Sequence, residues 1–128
     1  MKHRTIYLLV GLIILVLGVG LGVGLSQRGA DWCRTQKGVS RTIIIRHNQP
    51  SSSNVEGALC DQLTFINKDA VTRGIAFGIH DKHVLYDGVS EKYLNQEQSF
   101  TISFNEVGTF HWHDHLDEEV EGYFKVTK

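Results

Sequence analysis

The segment Ser99-Phe100-Thr101-Ile102-Ser103-Phe104 alternates polar and apolar residues at every step, which puts Phe100, Ile102 and Phe104 on one face of an extended strand. Similar short runs recur along the chain. Thr42-Ile43-Ile44-Ile45 is β-branched throughout, and Leu63-Thr64-Phe65-Ile66, Gly74-Ile75-Ala76-Phe77, Thr109-Phe110-His111-Trp112-His113 and Gly122-Tyr123-Phe124-Lys125-Val126 also have strand character. Turn-forming residues separate them: Gln49 to Asn54 reads as a loop, and Asn67-Lys68-Asp69 and Asn105-Glu106-Val107-Gly108 read as turns. No segment beyond the N-terminal region sustains a helical period. This pattern predicts an all-β Greek-key sandwich or barrel.

The N-terminal region is of another kind. Ile6 to Leu25 contains no charged residue, and as a helix it would span about 30 Å, the thickness of a bilayer's hydrocarbon core. Lys2, His3 and Arg4 precede it, so the excess of positive charge assigns the N-terminus to the cytoplasm. A cleaved signal peptide is the rival reading. The apolar run is longer than a typical signal core, however, and no A-x-A-like site follows it. The expected organisation is a cytoplasmic terminus over residues 1–5, a transmembrane anchor over 6–25, a linker over 26–41 and an extracytoplasmic domain over 42–128. The protein is thereby placed in the cell membrane with a single span.

Net charge is −1 over 128 residues, so no basic field recruits nucleic acid. The membrane is the one partner the residues imply, and no partner protein follows from them. Cys33 and Cys60 both fall in the exported part, where an oxidising compartment makes a disulfide reasonable.

Five of the seven histidines fall between residues 80 and 115. His113 and His115 are two apart on an expected strand, so their side chains leave the same face about 6.6 Å apart. His111 shares that face one step further back. His80 and His83 form a second pair in a loop, with a spacing that also suits chelation. Four imidazoles without a thiolate point to Cu(II) or Zn(II), with copper the tighter-held ion at a given nitrogen site. The alternative is a solvated polar strand end. Asp117, Glu118, Glu119 and Glu121 read as a solvated acidic loop beside these histidines, with an oxygen ligand as the other reading.

Asp61 to Asp69, Leu94 to Ile102, Val107 to His113 and Gly122 to Val126, in that order and spacing, resemble a cupredoxin domain over about residues 42–128. The His111-Trp112-His113-Asp114-His115-Leu116 ending, taken with His80 and His83, is similar to small membrane-anchored cupredoxins of bacterial candidate phyla. The resemblance implies a cupredoxin-like sandwich and copper chemistry, yet the departures from it are informative. Asp114 stands where a blue-copper protein has its cysteine ligand, and Arg73 stands where the first histidine ligand is expected. Met1 is the only methionine, so a type 1 site with an axial thioether is excluded. Arg73 and Asp114 are instead expected to form an ion pair. Removing Asp114 alone should then be more damaging than removing it together with Arg73. His113 and His115 flank the lost cysteine like the two histidines of the multicopper-oxidase motif, while Glu119 replaces that motif's downstream histidine.

These readings converge on an anchored copper-binding protein for capture, delivery or redox buffering, with copper as cofactor and zinc as the alternative. His80, His83, His113 and His115 are the expected ligands. Two other classes remain distinct from it: a copper-dependent oxidoreductase that disproportionates superoxide, and a metal-free structural or interaction domain. No serine–histidine–aspartate set or phosphate-binding loop is present, so an enzyme is the less favoured class.

Overall fold

The structure is a computed structural model that describes Cys33, Gln36 and residues 38–128. The chain divides into units Met1–Thr35 and Gln36–Lys128, and every described strand lies in the second. The expected anchor over 6–25 and most of the linker lie outside the described residues. Among the described residues, no helix is long and apolar enough to cross a membrane.

The strands are β1 (Ser40–Arg46), β2 (Gln49–Pro50), β3 (Asn54–Ala58), β4 (Gln62–Asn67), β5 (Arg73–Ile79), β6 (Lys82–His83), β7 (Glu91–Leu94), β8 (Ser99–Ser103), β9 (Gly108–Asp114) and β10 (Asp117–Thr127). They build two sheets. The first has the order β2-β1-β4-β8, and the second runs β3-β10-β9-β5-β6, with β7 also paired to β5. β1 pairs parallel to β4 and β3 pairs parallel to β10, while the other ladders are antiparallel.

Alternation explains the layering. Ile43, Ile45, Leu63, Phe65 and Ile102 from the first sheet, with Phe104 just beyond β8, meet Ile75, Phe77, Trp112, Phe124 and Val126 from the second, and all are buried. Phe65 and Trp112 meet edge-to-face at 5.1 Å, and Phe104 stacks on Phe124 at 5.3 Å. Such aromatic contacts add to the burial of each large ring.

Several local features differ from the sequence reading. β1 starts at Ser40, inside the expected linker. The expected loop over 49–54 contains β2 and the first residue of β3. His47 and Asn48 both have positive φ, which makes β1–β2 a tight hairpin of the primed-turn kind. Asp69 fastens this turn by accepting hydrogen bonds from the His47 and Asn48 N–H groups, at 2.6 and 3.1 Å. Neither Cys33 nor Cys60 is a free thiol; both are disulfide-bonded.

Candidate metal centre

β9 is paired to β5 on one side and β10 on the other, and successive side chains leave it on opposite faces. Trp112 and Asp114 point inward. His111 and His113 point outward, in register with Tyr123 and Glu121 of β10. Across from them β5 presents Gly74, Ala76 and Gly78 outward, paired respectively with Tyr93, with His113 and Glu91, and with His83. A strand with only glycine and alanine on its outer face leaves a low floor between two walls of larger side chains. Ala76 is fully buried despite facing outward, because the histidines form a second layer over it.

The four expected ligands come together on this floor. His80 lies in the β5–β6 turn, His83 in β6, His113 in β9, and His115 just past the end of β9, where its N–H donates to the Gly74 carbonyl at 2.7 Å. His80, His113 and His115 each offer a ring nitrogen within 4.8 Å of the others. The His83 ring lies beside this triad but outside it, its centroid 5.1 Å from that of His113 and 4.9 Å from that of His115. His80 and His115 stack at 4.7 Å.

Each ring buries one nitrogen that has no hydrogen-bond partner: His80 Nδ1, His83 Nε2, His113 Nε2 and His115 Nδ1. Buried polar atoms of this kind are costly and ordinarily paired. Three of these rings, those of His80, His113 and His115, also bring a ligand atom within 4.8 Å of the others, the arrangement a nitrogen-preferring cation requires, so the donor set fits a copper ion.

The opposite nitrogens are held by groups that the sequence reading missed. His113 Nδ1–H donates to the Gly78 carbonyl at 2.9 Å, which leaves the Nε2 lone pair as the free donor. Burial pushes the His113 imidazole below its usual range, against the opposing effect of that hydrogen bond, and the neighbouring histidines push the same way as burial. A neutral ring is the state that ligates metal. His80 Nε2 faces Glu118 Oε1 at 3.2 Å, leaving its Nδ1 free. Glu118 gets there because the β9–β10 register shifts between Asp117 and Glu121. His111 is different: its Nδ1 donates to Gly78 O at 2.8 Å and its Nε2 meets Glu121 Oε2 at 2.8 Å. With both nitrogens engaged, it braces His113 and has no donor left for a metal. The acidic segment is therefore only partly a solvated loop. Asp117, Glu118 and Glu121 each hold a specific partner, and Glu119 is exposed.

On the inner side of the same strands lies a second polar cluster. Arg73 Nη1 donates to Asp114 Oδ2 at 3.1 Å and to Asp117 Oδ2 at 3.0 Å, while Nη2 donates to Asp69 Oδ2 at 2.7 Å and to Asn48 Oδ1. The Arg73 and Asp114 side chains are 2% and 0% exposed. Asp114 Oδ1 also accepts from the Gly74 and Leu116 N–H groups, at 2.8 and 3.0 Å. The expected pair is thus one arm of a larger network. Burial alone would raise the Asp69 carboxyl, but hydrogen bonds from Arg73, Asn48 and His47 together with the Arg73 charge hold it below its usual range.

No family model matches the chain, and no curated protein matches it. Solved structures do. A reduced tryptophan-to-tyrosine variant of amicyanin aligns with a TM-score of 0.59 at 16% identity, over 74% of this chain and 89% of that one. A methionine-to-alanine variant of amicyanin in the Cu(I) form gives 0.57 at 17% identity, over 74% and 89%. A purple cupredoxin from Nitrosopumilus maritimus gives 0.59 at 21% identity, over 67% of this chain and 98% of that one. At these identities the likeness is one of fold. The described domain is an all-β, cupredoxin-like sandwich.

Proposed function

We propose that this chain is a membrane-anchored copper-binding protein whose ion is held by His80, His83, His113 and His115 on the outer face of the second sheet. The observation that carries the reading is the His80, His113 and His115 triad with ligand atoms within 4.8 Å of one another, beside four buried ring nitrogens, His83 Nε2 included, that have no partner. The site contains no cysteine, so it is distinct from a type 1 blue centre. At the positions that the cupredoxin resemblance assigns to blue-copper ligands stand Arg73 and Asp114. A guanidinium there supplies a fixed positive charge, which opposes a second metal ion. When bound, copper would give the domain an exchangeable, redox-active ion. His113 and His80 are oriented for it by Gly78 and Glu118, and the floor of Gly74, Ala76 and Gly78 gives it room.

The role that follows is copper capture, delivery or redox buffering at the outer surface of a membrane. Residues 6–25 form the single span, and the domain belongs with small anchored cupredoxins. Support for the anchor comes from the length and apolarity of that segment and from the basic residues before it.

Titration of the purified protein with Cu(II), followed by electron paramagnetic resonance, tests the reading. The expected result is one copper per chain with a tetragonal, nitrogen-rich signal that His113→Ala and His115→Ala each abolish. Absence of stoichiometric binding would sink it in favour of a structural domain. Catalytic superoxide turnover by the loaded protein would move it into the enzyme class.

A further inference from the structure

Among the described residues, eight buried side-chain nitrogen and oxygen atoms have no hydrogen-bond partner, and four of them are the histidine nitrogens of the copper site. A fifth is Glu91 Oε1. Glu91 lies on β7 opposite Ala76, and Ala76 is opposite His113 on its other side. Residues paired across a sheet share a face, so Glu91, Ala76 and His113 form one outward row with only a methyl group between the carboxylate and the imidazole. A methyl placed on Gly74 would lie 3.5 Å from Glu91 Oε1 and 3.5 Å from the Cβ of His115. Carboxylate and histidine therefore both flank Gly74, together with the Tyr93 ring, whose Cε1 would lie 3.1 Å from the same methyl. Tyr93, two residues further along β7, shares the outward face with Glu91, and the carboxylate beside it pushes the Tyr93 phenol above its usual range.

We infer that Glu91 is the counter-charge beside the histidine site, acting through space from the next position of the same outward row, and biases the site toward divalent over monovalent copper. The inference rests on the copper reading above. Its physical basis is charge. Four neutral imidazoles leave the full charge of a divalent ion uncompensated on a partly buried face, and burying uncompensated charge is expensive. One carboxylate removes a unit of that charge. The site therefore becomes a place where Cu(II) is held and reduction is disfavoured.

The test compares wild type with Glu91→Gln, which keeps the shape and removes the charge. Affinities for Cu(II) and Cu(I) are measured separately by competition with chelators of known strength, and unfolding of the apo forms checks that both are folded. The expected result is a loss of at least about tenfold in Cu(II) affinity with Cu(I) affinity changed less than about threefold. A tenfold difference between oxidation states corresponds to a rise of about 59 mV in the one-electron potential. Glu91→Asp, which keeps the charge on a shorter arm, should fall between the two. Equal losses for both ions, or no loss for either, would overturn the role of Glu91 and leave the histidine site standing. A wild-type protein that binds neither ion would overturn both.

Discussion

Asp114 and His113 are adjacent on β9, yet they serve opposite faces of the sheet: Asp114 Oδ2 accepts from Arg73 Nη1 at 3.1 Å inside the domain, and His113 Nδ1 donates to the Gly78 carbonyl at 2.9 Å outside it. One short stretch of backbone thus anchors a buried charge network and a candidate metal centre at once. The two are joined through β5, which supplies Arg73 inward and Gly74 and Gly78 outward.

The network makes Arg73 more important to stability than Asp114. Arg73→Met strands Asp69, Asp114 and Asp117 together without a cation, and breaking a buried ion pair from one side costs about 3–5 kcal/mol. Asp114→Asn leaves Arg73 with two carboxylates and should cost less, about 1–3 kcal/mol. The rescue expected from sequence, in which loss of Arg73 relieves loss of Asp114, does not follow, because Asp69 and Asp117 also depend on the guanidinium. Urea unfolding of the single and double variants at pH 7 decides it.

Gly78 is a point where one methyl group should disturb both hairpin and site. Its φ is +89°, and an added Cβ would lie 2.6 Å from the Lys82 carbonyl. A side chain in that backbone region costs about 1–3 kcal/mol. The same residue's carbonyl holds His111 and His113. Gly78→Ala should therefore lower the melting temperature and weaken Cu(II) binding together, read by calorimetry and by copper titration.

Glu118 is exposed, so its loss should leave stability nearly unchanged. Its contact with His80 Nε2 orients a ligand, and losing such a partner typically costs 10–100-fold in metal affinity when it is well placed (roughly the lower figure for an exposed group). Glu118→Gln should reduce Cu(II) affinity by about tenfold with an unchanged unfolding midpoint.

Alkaline stability should report Tyr86. Burial pushes its phenol up to about 12, only partly offset by the nearby Asn105 and Glu106 backbone. Below pH 10 the phenol is protonated in both folded and unfolded chains and contributes no pH dependence. Between pH 10 and about 12 the unfolded chain loses the proton first, so stability falls as pH rises through that window. Tyr86→Phe should flatten this loss while changing stability at pH 7 by no more than about 1 kcal/mol. Thermal melts of both proteins from pH 8 to 12 provide the measurement.

What the residues disclosed on their own follows from which contacts are local. β1, β4, β5, β8, β9 and β10 carry apolar runs or alternation, and all six are present. β3 is polar apart from Val55 and Ala58; its parallel pairing with β10, a contact distant in sequence, holds it in the sheet. β2 and β6 are two-residue segments with no pattern to detect. The metal candidates were visible because H-x-H and H-x-x-H are local spacings. Glu91, Glu118 and the Gly78 carbonyl depend on how β7, β10 and β5 register against β9, and nothing local encodes that. Arg73 and Asp114 were paired through the cupredoxin resemblance, while Asn48, Asp69 and Asp117 join them only once the β1–β2 turn and the start of β10 are brought alongside.

The central claim is one of place: copper belongs on the outer histidine face and not in the interior beside Asp114. Crystals of the copper-loaded domain, measured on both sides of the copper absorption edge, test it most directly. The expected result is a single anomalous peak enclosed by His80, His83, His113 and His115, with Arg73 still seated between Asp69, Asp114 and Asp117. A peak beside Asp114 with Arg73 displaced, or no ordered copper at the histidines, would contradict it.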